Sequence, residues 1–453
     1  STVNGYTNKT VTVQTLSDTM SKITDVYGLK PAEGAVDGVS IAAAAITATS
    51  AVSKDNADTL NTYTTGQVTL QSVEDTYDNL ILIDGLTTSE VSMAAAAVKV
   101  TDAVNKTKVD ALLADTTGTV TIGILSEDKT DIQTIGKNDY AEGIGNTKYN
   151  RASLAGATIN VSNSVNKTEA EAIEAFLSGS GSVVLSAFSG LASEFETVAG
   201  NTGRYARINA GGATAAISDA VSKTKADTLN DLTTAKVTLA SVADTYDNLI
   251  LIDGLNSDHV SMAAAAVNVT DAVNKTKVDA LLGDTTGTVT VDLITEDSAD
   301  LLTIGKSDYG EGIGNTKYNR LSLAGADVTV TGTTNKADAL TIQGYATNSG
   351  SVVLQGASGS FTDLGALHNN SEIDISTASL SITGTVSKTD LTTANTYTNK
   401  TVTVANTFSG SYTDMTDIYG VRPTEAGGDG VDISTAAITL TGTIDKDKAV
   451  VVN

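Results

Sequence analysis

The chain has 453 residues, with 28 Lys and Arg against 53 Asp and Glu, for a formal net charge of −25. That charge excludes a role in gripping nucleic-acid phosphates or an anionic membrane face. The absence of Cys removes disulfides and thiolate metal sites, and a hydrophobic content of 40% with only 4% aromatic leaves a core of Ala, Val, Ile and Leu.

From the N-terminus, residues 7–13 (Thr-Asn-Lys-Thr-Val-Thr-Val) read as a strand, because apolar and polar residues alternate. A loop follows Tyr27, Gly-Leu-Lys-Pro-Ala-Glu-Gly-Ala-Val-Asp-Gly-Val. Val68-Thr69-Leu70 is a second strand signal. Ser72 and Asp75 are expected to open a short helix that turns Leu80 and Ile81 inward. Residues 97–101 and 118–122 are strands by their period of two. Between them Val109, Leu112 and Leu113 fall on one helical face, with Asn105 as the N-cap. Gly118 and Gly136 sit close to where such helices end. No apolar run approaches the roughly 20 residues of a membrane helix.

The strand and helix textures recur. A β-branched residue, then Ser, Asn or Asp, then Lys marks Lys54, Lys106, Lys167, Lys223, Lys275, Lys336, Lys388 and Lys446, at intervals of 52, 61, 56, 52, 61, 52 and 58 residues. Blocks also recur at an offset of 169: Asp-Thr-Tyr-Asp-Asn-Leu at Asp75 and Asp244, and Glu-Gly-Ile-Gly-Asn-Thr at Glu142 and Glu311. Ile-Thr-Asp-Val-Tyr-Gly at Ile23 returns as Met-Thr-Asp-Ile-Tyr-Gly at Met415. Each period holds two strands and two short helices. The fold class expected is therefore a repeat solenoid, a β-solenoid or α/β-solenoid of parallel strands alternating with short helices in one elongated body. Its domain is a single one over 1–453, of about eight 52–61-residue repeats, with an open half-repeat at each end, 1–53 and 437–453. Helices prefer about 8–10 Å spacing against a strand rise near 4.8 Å, so the helices must be staggered or the stack must curve.

The ends carry the functional expectation. The internal stretch 381–404 contains both terminal pieces, joined and in order. Docking the end of one chain on the start of another spaces Lys446 from the next Lys54 by 61, a normal interval. The partners expected are thus identical subunits, head to tail. The assembly residues are Tyr6, Thr7, Asn8, Val11 and Val13 at one end, and Ile438, Leu440, Ile444 and Val450 at the other.

The most individual segments are the copied loops at residues 139–151 and 308–320. They gather Tyr140, Glu142, Asn146, Tyr149 and Arg151, and Tyr309, Glu311, Asn315, Tyr318 and Arg320. Tyr, Asn and Arg suit a glycan or a protein partner. They equally suit contact with a neighbouring subunit, or packing of the loop on its own solenoid. The acidic groups Glu127, Asp128 and Asp131, and Glu296, Asp297 and Asp300, would suit Ca²⁺ or serve as helix N-terminal charges. No cofactor is expected beyond that ion. With two His far apart, no catalytic constellation is found, and the chain is not expected to be an enzyme.

One pattern recurs across the chain: Val-x-Val, five residues, Lys, an Ala-Leu pair, then a Gly-Thr-Val or Gly-Ser-Val strand start, as in the stretches beginning at Val98 and Val328. It resembles the repeat regions of large secreted bacterial surface proteins: S-layer-like, haemagglutinin-like and cyanobacterial giant surface protein repeats. The resemblance implies an extracellular, cell-surface location and a structural or adhesive role. The tandem Gly-Gly-x-Gly-x-Asp calcium motif of some secreted repeat proteins is absent. The function expected is a structural subunit of an extracellular filament or surface layer; the alternative is a segment of a giant adhesin whose loops bind a cell-surface glycan.

Overall fold

The structure is a computed structural model that describes residues 7–32, 37–86, 90–136, 147–305, 317–347, 350–423 and 429–444. It contains two compact units, residues 1–217 with 228–237, and residues 218–227 with 238–453. Each unit is a repeat solenoid. Its strands are parallel and separated by helices of seven to ten residues.

Two kinds of coil alternate. The marker coil has a strand that ends at the recurrent Lys, as in Ala97–Val104 followed by helix Lys106–Asp115. The alternate coil follows, as in Val120–Glu127 and helix Lys129–Gly136. The marker sequence has a local cause. Its Ser or Asn is the helix N-cap: Ser53, Asn105, Asn166, Asn274, Asn335 and Ser387 each accept the backbone N–H three residues on. Its Lys reaches the acid one turn later, as in Lys106–Asp110 at 3.0 Å and Lys275–Asp279 at 2.9 Å.

Helix Tyr77–Asp84 differs from expectation at its start. Ser72 and Asp75 belong to strand Val68–Asp75, Thr76 is the N-cap, and Leu80 with Ile83, not Ile81, faces the core. The Asp75 carboxylate serves two helices: one oxygen accepts Thr76 N–H and the Asn79 side-chain amide, each at 2.8 Å, and the other accepts Lys54 N–H of the preceding helix at 2.9 Å. This capping from the next coil recurs. Asp102 accepts Tyr77 N–H at 2.6 Å, Asn163 accepts Lys129 N–H at 2.9 Å, and Asp244, Asp271 and Glu296 do the same for Lys223, Tyr246 and Lys275. Each of these six helix starts thus has an orphan amide satisfied by a strand one coil further on.

A second clamp is a buried threonine. The hydroxyls of Thr64, Thr116, Thr233, Thr285 and Thr398 each donate to the carbonyl twenty residues earlier, on Ala44, Ala96, Ala213, Ala265 and Ala378, at 2.6–2.8 Å. Each accepts the N–H two residues on. The turn holds the chain against the preceding coil. At Gly118 a Cβ would lie 2.1 Å from Ala96 O, so the close approach there needs glycine.

The inward side chains line up across coils in rows. A row begins at the β-branched residue of the marker and runs through five strands, as in Val52, Val73, Val98, Val120 and Ala152. The next in the first unit is Val104, Leu125, Ile159, Val183 and Ile208. The second unit has Val273, Ile294, Val328, Val352 and Ile373, then Thr334, Ala357, Leu380, Val402 and Val431. Nearly all are buried; Ala152 alone is half-buried. A one-residue slip in five of the marker strands, such as that between Val100 and Ala103, moves the next row sideways by half a strand. The helices are short, seven to ten residues each.

Candidate assembly edges and loop latches

The described C-terminal parts of the copied loops, from Thr147 and Lys317 on, are internal latches. Tyr149, 4% exposed, donates its hydroxyl to Asp110 Oδ1 at 2.7 Å. Lys148 Nζ lies 2.9 Å from the same oxygen, and Lys106 Nζ holds Oδ2. The Arg151 guanidinium donates to Leu113 O at 2.7 Å and to Thr116 O, closing the carbonyl end of helix Lys106–Asp115. The copy repeats it: Tyr318 to Asp279 at 2.7 Å, Lys317 to Asp279 at 2.9 Å, and Arg320 to Leu282 O at 2.6 Å and to Thr285 O. Partial burial pushes the Asp279 carboxyl up, but hydrogen bonds from Lys275, Lys317 and Tyr318 outweigh it and bring it down to about 2. Asp110 is lowered by the same balance.

A third latch was not picked out in the sequence. Tyr205 donates to Glu171, Arg204 and Lys167 lie 3.5 and 3.4 Å from that carboxylate, and Arg207 donates to Leu177 O at 3.2 Å. Its signal is Tyr-x-Arg directly before a two-residue strand, as in Tyr149-Asn150-Arg151. Tyr140, Glu142, Asn146, Tyr309, Glu311 and Asn315 lie outside the described residues.

The acidic groups are occupied in the same way. Asp128 accepts the N–H groups of Thr130 and Asp131, and Asp297 accepts that of Asp300 at 2.9 Å. Glu296 accepts Lys275 N–H. The Glu296, Asp297 and Asp300 carboxylates lie close enough together for one cation, with ligand atoms within 4.8 Å. At Glu127, burial first and then Asp131 and Asp128 push the carboxyl up.

The edges look different from the interior. Strand Ala437–Leu440 pairs with Thr407–Gly410, which is its one sheet partner among the described residues. Its inward residues Ile438 and Leu440 are half-buried, as is Ile444. The corresponding Leu380 and Ile382 one marker coil earlier are 1% and 0% exposed. Beside them a cavity of about 720 Å³ opens between helix Tyr412–Gly420 and the last strands, lined by Met415, Tyr419, Arg422, Val431, Ile433 and Ile438. Tyr419 is 56% exposed, with the Arg422 guanidinium 4.4 Å from its ring centre.

In the first unit, strand Thr10–Thr12 pairs with Gly38–Ser40, and Thr15–Asp18 with Ala45–Val52. Val11, Val13 and Leu16 are half-buried, and Thr7 and Asn8 are exposed. Thr7 already holds the clamp turn, accepting Lys9 N–H at 3.2 Å as Thr398 accepts Lys400 N–H. Tyr6 and Val450 lie outside the described residues. No described helix is long and apolar enough to cross a membrane.

Compared with known protein families, with characterised proteins and with solved structures, the chain shows no significant match.

Proposed function

We propose that the protein is a non-enzymatic structural subunit of an extracellular filament or surface layer, assembling head to tail by completing a split repeat between chains. The single observation that carries this is the half-exposure of Ile438 and Leu440 at one edge and of Val11 and Leu16 at the other. The same positions in interior coils are closed to solvent. Parallel strands with an uncovered apolar face and unpaired backbone on one side recruit another strand. Burying one Val, Leu or Ile in full is worth roughly 1.5–3 kcal/mol, so a few such residues at an edge make a substantial drive to associate.

Among the loop residues that would offer a glycan its contacts, the described ones favour assembly over an adhesive loop. Tyr149, Arg151, Tyr318 and Arg320 are all engaged inside the fold. The acidic surface, at −25 per chain, keeps subunits apart except where the edges are complementary.

Removing residues 1–13 tests the proposal. Size-exclusion chromatography with light scattering should show multimers for the full chain. The deletion should give monomers with an unchanged circular dichroism spectrum. Multimers of normal size from the deletion would overturn strand completion.

A further inference from the structure

Resting on the extracellular reading, we infer that the exposed asparagines at three marker corners, Asn105, Asn166 and Asn274, are acceptors for N-linked sugar. Each opens an Asn-Lys-Thr triplet, at 105–107, 166–168 and 274–276. Asn-x-Thr is the triplet on which a glycosyltransferase places a saccharide, taken from a lipid-linked oligosaccharide. Such triplets arise by chance in a Thr-rich chain. The corner geometry is what sets these three apart.

At each corner a strand ends and a helix begins. Asn105, Asn166 and Asn274 are exposed with extended backbone, and Thr107, Thr168 and Thr276 are exposed beside them. The cap uses only the side-chain oxygen: Oδ1 accepts the N–H of Lys108, Glu169 and Lys277 at 2.9–3.0 Å. No described residue accepts from Nδ2 at these three positions. Transfer joins Nδ2 to the anomeric carbon of the sugar. The bond from that carbon to the carrier lipid's phosphate breaks, the phosphate leaves with the electron pair, and one Nδ2 proton passes to solvent. Oδ1 is untouched, so the cap survives the modification.

Other asparagines of the chain give the contrast. Asn335 caps its helix in the same way, but its Nδ2 donates to Asp338 at 2.7 Å, and Ala337 leaves its triplet incomplete. Ser53 and Ser387 cap the same corner of other coils, so the fold does not itself demand Asn there. Complete triplets also stand at 160–162 and 268–270, but Asn160 and Asn268 are half-buried in mid-strand. Asn160 Nδ2 donates to Ser126 Oγ at 2.9 Å, and Asn268 Oδ1 is closed to solvent. A sugar on either would press against the neighbouring strands. On the corner, a hydrated sugar would keep that side of the solenoid from packing on another subunit and leave the edges to make the contacts.

Peptide mass spectrometry of the protein from its native source, with cells and surroundings fractionated, is the test. Peptides that span Asn105, Asn166 and Asn274 should carry saccharide mass, and those that span Asn160 and Asn268 should not. Bare corner asparagines on protein recovered outside the cell would overturn the modification and leave the extracellular reading standing. Bare corners on protein found only inside the cell would overturn both. Saccharide on Asn160 and Asn268 as well would overturn the selection of the corner by the fold. In the native host, Thr107→Ala should lose the sugar on Asn105 and keep it on Asn166, and Thr107→Ser should keep both. Sugar retained on Asn105 in Thr107→Ala would overturn its attachment through the triplet. Asn105→Ser keeps a capping side chain, so it should lose the sugar at that corner with an unchanged circular dichroism spectrum.

Discussion

At the scale of single residues, polar groups decide where each coil rests. Thr116 is 2% exposed and joins two coils through one hydroxyl. Thr116→Val keeps the shape but leaves Ala96 O and Gly118 N–H without that partner. It should cost about 1–3 kcal/mol, read as a lower urea midpoint at unchanged slope. Asp279 gives a pH signature. Its folded-state carboxyl titrates near 2, below the 3.8 of a free side chain, so its contribution is complete above about pH 4 and is lost as the pH falls through 2. The contribution is on the order of 2 kcal/mol, with Asp279 26% exposed. Urea midpoints at pH 6 and pH 2.5 should therefore differ more for the native chain than for Asp279→Asn.

Helices and strands support one another across coils more than along the chain. Short helices are marginal alone, and here the start of one is capped from a strand that comes later. Asp102→Ala removes the acceptor of Tyr77 N–H and should destabilise by roughly 1 kcal/mol. Hydrogen exchange should quicken first in helix Tyr77–Asp84, not in the strand that carries the substitution. Much of this level was legible. Alternation found the strands at 68, 97, 118 and 328, and the 3.6-residue spacing found Val109, Leu112 and Leu113. The helix after Asp75 starts later than expected, because Ser and Asp favour helix N-termini in general, whereas here Asp75 ends a strand and bonds both Thr76 N–H and Lys54 N–H of the preceding helix. The Tyr-x-Arg latches were visible as a loop, but their partners sit 35 to 39 residues away, and nothing local encodes that distance.

For the whole molecule the repeat period was readable and the row structure was not. Rows depend on where a marker strand slips by one residue, as between Val330 and Thr333, and a bulge leaves only a faint sequence mark. The observation beneath the proposed assembly is local: Ile438 and Leu440 at one edge, and Val11 and Leu16 at the other, are half-buried where the interior coils are closed to solvent. Solenoid repeats owe their stability to neighbours, so the proposed assembly would stabilise each edge coil by packing it against another. Electron microscopy of the purified full chain at rising concentration tests this most directly. Uniform filaments or sheets, with one subunit joined to the next through its ends, are the expected result. Isolated particles at every concentration, with Ile438 and Leu440 as solvent-accessible as before, would contradict it.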